Sequence, residues 1–460
     1  MTAESIRLLW NNLSGKRVVI CGIGRNNLPV IHQFLQKGAF VTACDRRSRK
    51  ELGETADELE AAGAALSLGE NYLAHLDADV ILRTPGMKPY LPEFEAARSR
   101  GIPVTSEMEL FFALSPAPIY GVTGSDGKTT TTTIIAGLLK AAGKTVHLGG
   151  NIGRPLLPII DEVRPEDAVV VELSSFQLTR MTQSPHVAVI TNVAPNHLDW
   201  HTDMAEYIDA KQNLMRFQQP GDRVVLNADN EVTASFAKTA RGNLCLFSRR
   251  HAVGRGTFRD EDGLLYMQDG EQLTPIMETA DILIPGEHNV ENYLAAIAAV
   301  WGEVEPAVIK NYARTFGGVP HRSELVRVRR GVRWYNDSIG SSPSRTIAGL
   351  KAFDRPVILI AGGYDKHIPY DPLGPVAAQT VKSAILMGAT GNAIERAIRA
   401  CSNLPILRVE NMEQAVAQAD ALAREGDIVF MSPASASFDM YSNFEERGNH
   451  FKRLIEALDN

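Results

Sequence analysis

The sequence predicts an α/β protein of three domains, Rossmann-like at both ends with a larger α/β domain between them. Three observations carry that reading. Short β-branched runs alternate with helical patterns along most of the 460 residues. Two of those runs empty into glycine-rich turns that open helices, at Gly22-Ile-Gly24 and at Gly121-Val-Thr-Gly124-Ser-Asp-Gly127-Lys-Thr129. The length exceeds what one core supports and predicts about two to four domains.

Composition excludes several classes. A hydrophobic fraction of 44% and a charged fraction of 22% are ordinary for a globular chain. The net charge of −7 argues against bulk nucleic-acid binding. Cysteines 21, 44, 245 and 401 are scattered without CxxC or CxxH spacing, which points to a reducing compartment and no zinc site. No apolar run reaches the roughly 18 residues a membrane span needs. Met1 to Leu13 carries Glu4 and Arg7 and does not read as a signal peptide. The expectation is a cytoplasmic monomer acting on small molecules, with neither nucleic acid nor membrane as partner.

Taken in order, Lys16 to Cys21 reads as a strand, followed by a glycine turn and a helix to Gln36. A second strand, Phe40 to Ala43, ends at Asp45-Arg46-Arg47, about 20 positions after the glycines, as in a dinucleotide fold. The third glycine of that motif is replaced by Asn27, whose side chain would obstruct a pyrophosphate. NAD is therefore disfavoured. Asp79 to Arg83 is a further strand, and two prolines near 116–118 place a boundary near 106. This gives a first domain of 1–106.

Ile119 to Val122 is the next strand, and a helix begins near Lys128. Strand, glycine loop and helix start form an anion trap, because free backbone N–H groups and the positive helix end converge there. Lys128 would reach the terminal phosphates of a nucleoside triphosphate and Thr129 would offer a hydroxyl to Mg²⁺. The spacing is irregular, since the strict phosphate-loop pattern would place glycine at Val122. Strands at 167–172, 186–192 and 223–226 deliver Glu172, then Asn192 and His197, to the sheet edge where ligands sit. Glu172 suits a metal contact or a water-positioning base. Lys211, on a helix from Met204 to Phe217, looks from spacing alone like a solvated helix face. Residues 254–285 read as hairpins, and a helix follows through Trp301. The central domain is thus a P-loop ATPase-type α/β domain over 107–318.

After Gly317-Gly318 come strands at 332–335, 357–361, 384–388 and 428–431, a second Rossmann-like unit over 319–460. His321-Arg322, Asn336-Asp337-Ser338, Gly362 to Lys366 and Ser432 to Phe438 each follow a strand or a junction. Singly each reads as turn chemistry; together with the phosphate loop they outline an interdomain cleft for an anionic substrate.

Seven segments in this order resemble the Mur ligase family: Thr123 to Thr129, Gly150-Asn151-Ile-Gly153, Glu172 to Gln177, Asn196-His197-Leu-Asp199, His288-Asn289, Pro320-His321-Arg322 and Asn336-Asp337-Ser338. The family comprises ATP-dependent amide-forming enzymes of cell-wall precursor synthesis. Ser432 to Asp439 and Asn443 to Gly448 are similar to members that add D-glutamate to UDP-N-acetylmuramoyl-L-alanine. The resemblance implies an acyl-phosphate route in which Lys128, Glu172, His197 and Lys211 serve catalysis. It implies ATP held by Gly124, Ser125, Asp126, Gly127, Lys128, Thr129, Thr130, Asn289, Arg322 and Asp337. Two Mg²⁺ ions would be held by Thr129 with Glu172 and by His197 with Lys211. Lys211 would be carbamylated, which reverses its solvated-face reading.

The resemblance also implies that Arg25, Asn26, Asp45, Arg46, Arg47, Gly86 and Asn151 hold the UDP-substrate, and that Ser341, Lys366, Ser437, Phe438 and Phe444 hold the amino acid. Two departures stand out. Ile339 replaces the lysine common after Asn-Asp-Ser, and Arg25-Asn26-Asn27 replaces smaller residues. The rival readings are another amino-acid ligase of the superfamily, a dinucleotide oxidoreductase, and a non-catalytic phosphate-loop switch.

Overall fold

A computed structural model describes residues 2–24, 26–197 and 200–459. It divides into two compact units, Met1–Thr279 with Val290–Tyr312, and Ala280–Asn289 with Ala313–Asn460. Among the described residues no helix is long and apolar enough to cross a membrane.

The first unit contains two sheets. One has five parallel strands in the order Ala65–Leu68, Phe40–Asp45, Arg17–Cys21, Val80–Arg83, Val104–Thr105. The order reverses beside Arg17–Cys21, so the strand ends at Gly22, Asp45 and Thr84 open onto the crevice such a reversal creates. The second sheet has nine strands, with Ile119–Thr123 between Val187–Ile190 and Ala168–Glu172. Its strands on that side are parallel, and Gly256–Arg259, Leu264–Asp269 and Gln272–Glu278 finish it as the expected antiparallel hairpins. All five residues of Ile119–Thr123 are buried, as a strand covered on both faces requires.

The helix Lys128–Ala141 starts directly from Gly127, whose φ of 77° lets the loop turn into it. Asp203 caps the helix Met204–Arg216 by accepting from the Glu206 amide at 2.8 Å. A continuous apolar core joins the two sheets of this unit. Val30, Ile31 and Phe34 of the helix Asn27–Gln36 pack in one cluster with Leu157 and Ile160.

The second unit holds a six-stranded sheet in the order Glu324–Arg329, Val332–Asn336, Ile428–Met431, Val357–Gly362, Val381–Met387, Ile406–Arg408. Glu324–Arg329 pairs antiparallel at the edge and the rest are parallel. Asn336, Met431 and Gly362 end neighbouring strands at one edge, which brings three of the singled-out loops together.

Candidate active site

In the first unit the phosphate loop is pinned from the side by the end of the adjacent strand. The Ser125 amide donates to the Asn192 carbonyl at 2.9 Å and the Asp126 amide to Asn192 Oδ1 at 2.9 Å. Ser125 Oγ donates to the Ala194 carbonyl at 2.9 Å and lies 2.9 Å from the Tyr207 hydroxyl. The irregular glycine spacing has a geometric reason. Val122 is a fully buried strand residue, and the close approach falls at Gly124, where a Cβ would sit 1.9 Å from Thr191 Oγ1. At Gly127 a Cβ would meet Asn292 Oδ1 at 2.4 Å. Asn292 also accepts from Thr131 Oγ1 at 3.1 Å, so it braces the first turn of the helix.

Lys128 Nζ donates to the carbonyls of Gly124 (2.9 Å) and Ser125 (3.0 Å). Thr129 Oγ1 donates to Glu172 Oε2 at 2.7 Å, and Asn151 Nδ2 donates to Glu172 Oε1 at 2.6 Å. Glu172 is 1% exposed, so a buried carboxylate stands at the loop with a hydroxyl against it. Thr130 is half-buried on the same first turn, and Asp126 is exposed.

Lys211 does not lie on a solvated face. It is 1% exposed, and its Nζ donates to the Gly124 carbonyl at 2.7 Å, 4.6 Å from the Tyr207 ring centroid. The helix buries Tyr207, Ala210, Lys211 and Leu214, so the lysine occupies a position of the inward stripe. Burial, with the Lys128 ammonium near, holds its pKa well below the ordinary lysine range. His197 is exposed with a left-handed backbone (φ 55°), its ring 5.0 Å from that of Phe176 and 6.5 Å from that of Tyr207. Among the described residues no group of three His, Cys, Asp or Glu side chains could hold a metal ion. Thr129 with Glu172 nevertheless supplies adjacent hard oxygen donors, enough for a Mg²⁺ that keeps waters and phosphate oxygens as its other ligands.

At the first sheet, Asp45 Oδ2 accepts from the Ile23 amide at 2.7 Å and from Arg47 Nη2 at 2.9 Å. Burial alone would raise the Asp45 carboxyl, but the bonds from Arg47 and Ile23 outweigh it and hold the pKa low. Asn27 folds onto its own loop, donating to the Gly22 carbonyl at 2.9 Å, and is 4% exposed. It therefore fills the place a third glycine would leave open. Arg46 and Asn26 are exposed. Gly86 accepts from Trp200 Nε1 at 3.1 Å, which ties this site to the loop after His197. Arg25 and Asp199 lie outside the described residues.

In the second unit Asp337 Oδ2 accepts from Ser432 Oγ at 2.7 Å and Oδ1 from the Ser323 amide at 3.1 Å. Burial pushes its carboxyl up to about 6, against the pull of those two donors. Ser437 is buried, while Lys366 and Phe438 are exposed, and Phe438 packs edge-on against Tyr364 at 5.9 Å. Phe444 is half-buried and lies 6.0 Å from the His321 ring, and Ser341 is half-buried with its amide donating to the Ile339 carbonyl at 2.7 Å. Arg345 Nη1 donates to that same carbonyl at 3.4 Å, placing a guanidinium beside the position where a lysine was missed. Asn289 donates to the Pro285 carbonyl at 2.6 Å, and Arg322 is exposed after its turn.

Sequence reasoning missed Tyr207, Asn292 and Trp200. Each acts through a partner far along the chain; only the inward stripe from Tyr207 to Leu214 gave a local signal.

Comparison with known proteins agrees with this geometry. Residues 16–106 match the model of the Mur ligase MurD-like N-terminal domain, 122–300 the Mur ligase middle domain, and 321–435 the Mur ligase glutamate ligase domain. The chain is 51% identical over 455 residues to the UDP-N-acetylmuramoylalanine--D-glutamate ligase of Acetivibrio thermocellus, covering 97% of each. It is 49% identical to the same-named protein of Symbiobacterium thermophilum, covering 96% of this chain and 98% of that one. In fold it is similar to the UDP-N-acetylmuramate-alanine ligase of Thermotoga maritima, with a TM-score of 0.56 at 17% identity over 96% of this chain and 99% of that one. Three domain models in sequence and near-complete relatives at about half identity place the chain in the Mur ligase family.

Proposed function

We propose that this protein is an ATP-dependent ligase of the cytoplasm that joins D-glutamate to UDP-N-acetylmuramoyl-L-alanine in peptidoglycan precursor synthesis. The observation that carries the reading is the buried Glu172 carboxylate against Thr129 at the end of the phosphate loop, in a chain about half identical to proteins named for this reaction. Its working form would be a monomer, with domains over 1–106, 107–318 and 319–460.

The chemistry follows from the substrates. A carboxylate is a poor acyl donor, because its charge and resonance repel an amine. Transfer of the γ-phosphoryl group of ATP to the L-alanyl carboxylate gives an acyl phosphate, and ADP leaves. The D-glutamate amine, having lost a proton, attacks the acyl carbon; the tetrahedral adduct collapses to the amide and inorganic phosphate. Lys128 and the amides of 124–129 neutralise phosphate charge, the task that lets two anions approach. Thr130, Asn289, Arg322 and Asp337 would complete the nucleotide's contacts. Asp45, Arg46, Arg47, Asn26, Arg25 and Gly86 would hold the UDP part, with Asn151 towards its far end. Lys366, Ser437, Ser341, Phe438 and Phe444 would receive D-glutamate.

Mg²⁺, when bound, shields the transferring phosphoryl group as a Lewis acid. Thr129 and Glu172 would hold one ion, and His197 with a carbamylated Lys211 a second. Support for the carbamate lies in the burial of Lys211 beside Lys128, which favours the neutral amine that reacts with CO₂. The amine nitrogen bonds the CO₂ carbon and releases one proton, leaving a carboxylate.

Phosphate release measured with UDP-N-acetylmuramoyl-L-alanine and ATP, with D-glutamate present or omitted, tests the reaction. Release should require all three; release independent of the amino acid, or faster with a diamino acid, would overturn it. Lys211→Ala should lose most activity and regain part with short-chain carboxylic acids. Intact mass of the active enzyme showing an unmodified lysine would remove the carbamate.

A further inference from the structure

Arg447 has no place in the ligase chemistry proposed for this chain, yet it is among the most completely buried charged side chains of the second unit, at 1% exposure. It lies on the helix Phe444–Glu456. Its five N–H donors are all used. Nε donates to Ser338 Oγ at 3.0 Å, and Nη2 to the carbonyls of Ser338 (2.8 Å) and Ser435 (3.2 Å). Nη1 donates to the carbonyls of Ser435 (3.2 Å) and Ala436 (3.0 Å). Every acceptor is neutral, and among the described residues no carboxylate forms an ion pair with it. Burial drives its pKa down to about 10, against the opposite pull of Asp439, Tyr441 and Asp337, none of which bonds it.

A buried cation without a counter-ion is costly, a cost that a neutral side chain at this position would not carry. The placement shows where a counter-ion would be useful. Ser338 stands between Asp337 and Ser341, Ser435 and Ala436 lead directly into Ser437 and Phe438, and Phe444 is one helical turn away. The guanidinium thus binds together the segments that carry the proposed amino-acid residues.

We infer that Arg447 is a positioning and specificity residue of the amino-acid site: its fork holds the Ser338 and Ser435–Ser437 segments in register, and its unpaired charge favours an amino acid with two carboxylates over the neutral-side-chain amide of the same shape. This rests on the reading of the site as one for D-glutamate.

The test separates charge from hydrogen bonding. Wild type, Arg447→Gln and Arg447→Lys are assayed for the KM of D-glutamate, the inhibition constant of D-glutamine as competitor, and the KM of ATP. In Arg447→Gln the KM of D-glutamate should rise about tenfold and the constant for D-glutamine less than about threefold, as for one unit charge lost over about 10 Å. The KM of ATP should stay unchanged. Arg447→Lys, which keeps the charge and loses the fork, should lower kcat but preserve the wild-type preference for D-glutamate. Equal weakening of both amino acids in Arg447→Gln, or loss of preference in Arg447→Lys, would overturn the inference. Should Arg447→Gln fail to fold, the Arg447→Lys preference alone decides. A wild type that does not consume D-glutamate would instead defeat the underlying reading.

Discussion

Replacing Lys211 by methionine should make the protein more stable and inactive at once. The size of the effect can be worked from the geometry. Lys211 is 1% exposed, so its amino group has lost nearly all hydration and resists carrying a proton. Its strong bond is to the Gly124 carbonyl at 2.7 Å, an acceptor that Lys128 Nζ also occupies at 2.9 Å. Its weaker contact, Thr123 Oγ1 at 3.5 Å, is a hydroxyl that donates to the Leu173 carbonyl. Methionine therefore orphans no polar atom and fills a similar volume among Tyr207, Ala210 and Leu214. Replacing a buried lysine that must either give up its proton or keep a desolvated charge should stabilise by about 1–3 kcal/mol. For a large domain that corresponds to about 2–6 °C in melting temperature.

The pH dependence has a definite sign. The folded-state pKa lies below that of the unfolded chain, so between the two the unfolded chain binds more protons and stability rises with pH. Wild type should accordingly gain on Lys211→Met as pH climbs from neutrality towards about 10. The assay is thermal denaturation by circular dichroism in CO₂-depleted, Mg²⁺-free buffer, with phosphate release on the same samples. A variant that melts below wild type, or one that turns over normally, would refute the reasoning.

Lys128→Ala should cut phosphate release by about 10² or more while the melting curve is retained, since it removes a cation from the developing phosphate charge; wild-type rates would sink that assignment. Gly127→Ala should cost about 1–2 kcal/mol, because φ is 77° and the new Cβ would meet Asn292 Oδ1 at 2.4 Å. Its KM for ATP should rise, and an unchanged value would show that the loop tolerates the side chain. Lys366→Ala should raise the KM of D-glutamate far more than that of ATP; equal increases count against its placement. Asp337 has its folded pKa raised to about 6, so the stability it lends is present below about 3.9 and lost as pH rises through 6. Asp337→Asn should remove that decline, visible as a flatter urea-unfolding profile between about pH 4 and pH 6.

Much of this was legible in the chain because its signals are local. The phosphate loop announces itself by Gly-Lys-Thr at a strand end, and the helix begins at Lys128 as expected. The strand Val146–Gly150 was not foreseen, since Val-His-Leu-Gly-Gly carries two glycines and little β preference. Glu324–Arg329 was missed for another reason: it is a charged, half-exposed edge strand. Lys211 misled because lysine on a helix is normally solvated, although Tyr207, Ala210 and Leu214 already marked its face as inward. Asn292 lies far in sequence from the group it braces, as Arg447 does from Ser338. Nothing local distinguishes them from any other helical Asn or Arg.

The joint between the five-stranded and nine-stranded sheets of the first unit has an asymmetry with an evolutionary consequence. Arg7 Nε reaches the Ala113 carbonyl, Gln33 Nε2 that of Leu157, Arg83 Nη2 that of Thr179, and Trp200 Nε1 that of Gly86. In each of these four bonds a side chain grips main chain, beside side-chain pairs such as Lys37–Asp161 and Arg180–Glu95. Drift at 86, 113, 157 or 179 that leaves the backbone in place keeps these acceptors, since every residue carries a carbonyl. Drift at 7, 33, 83 or 200 removes the donor itself. These bonds therefore constrain side-chain identity at the four donors alone, while Ala113 and Leu157 answer instead to the core they pack in.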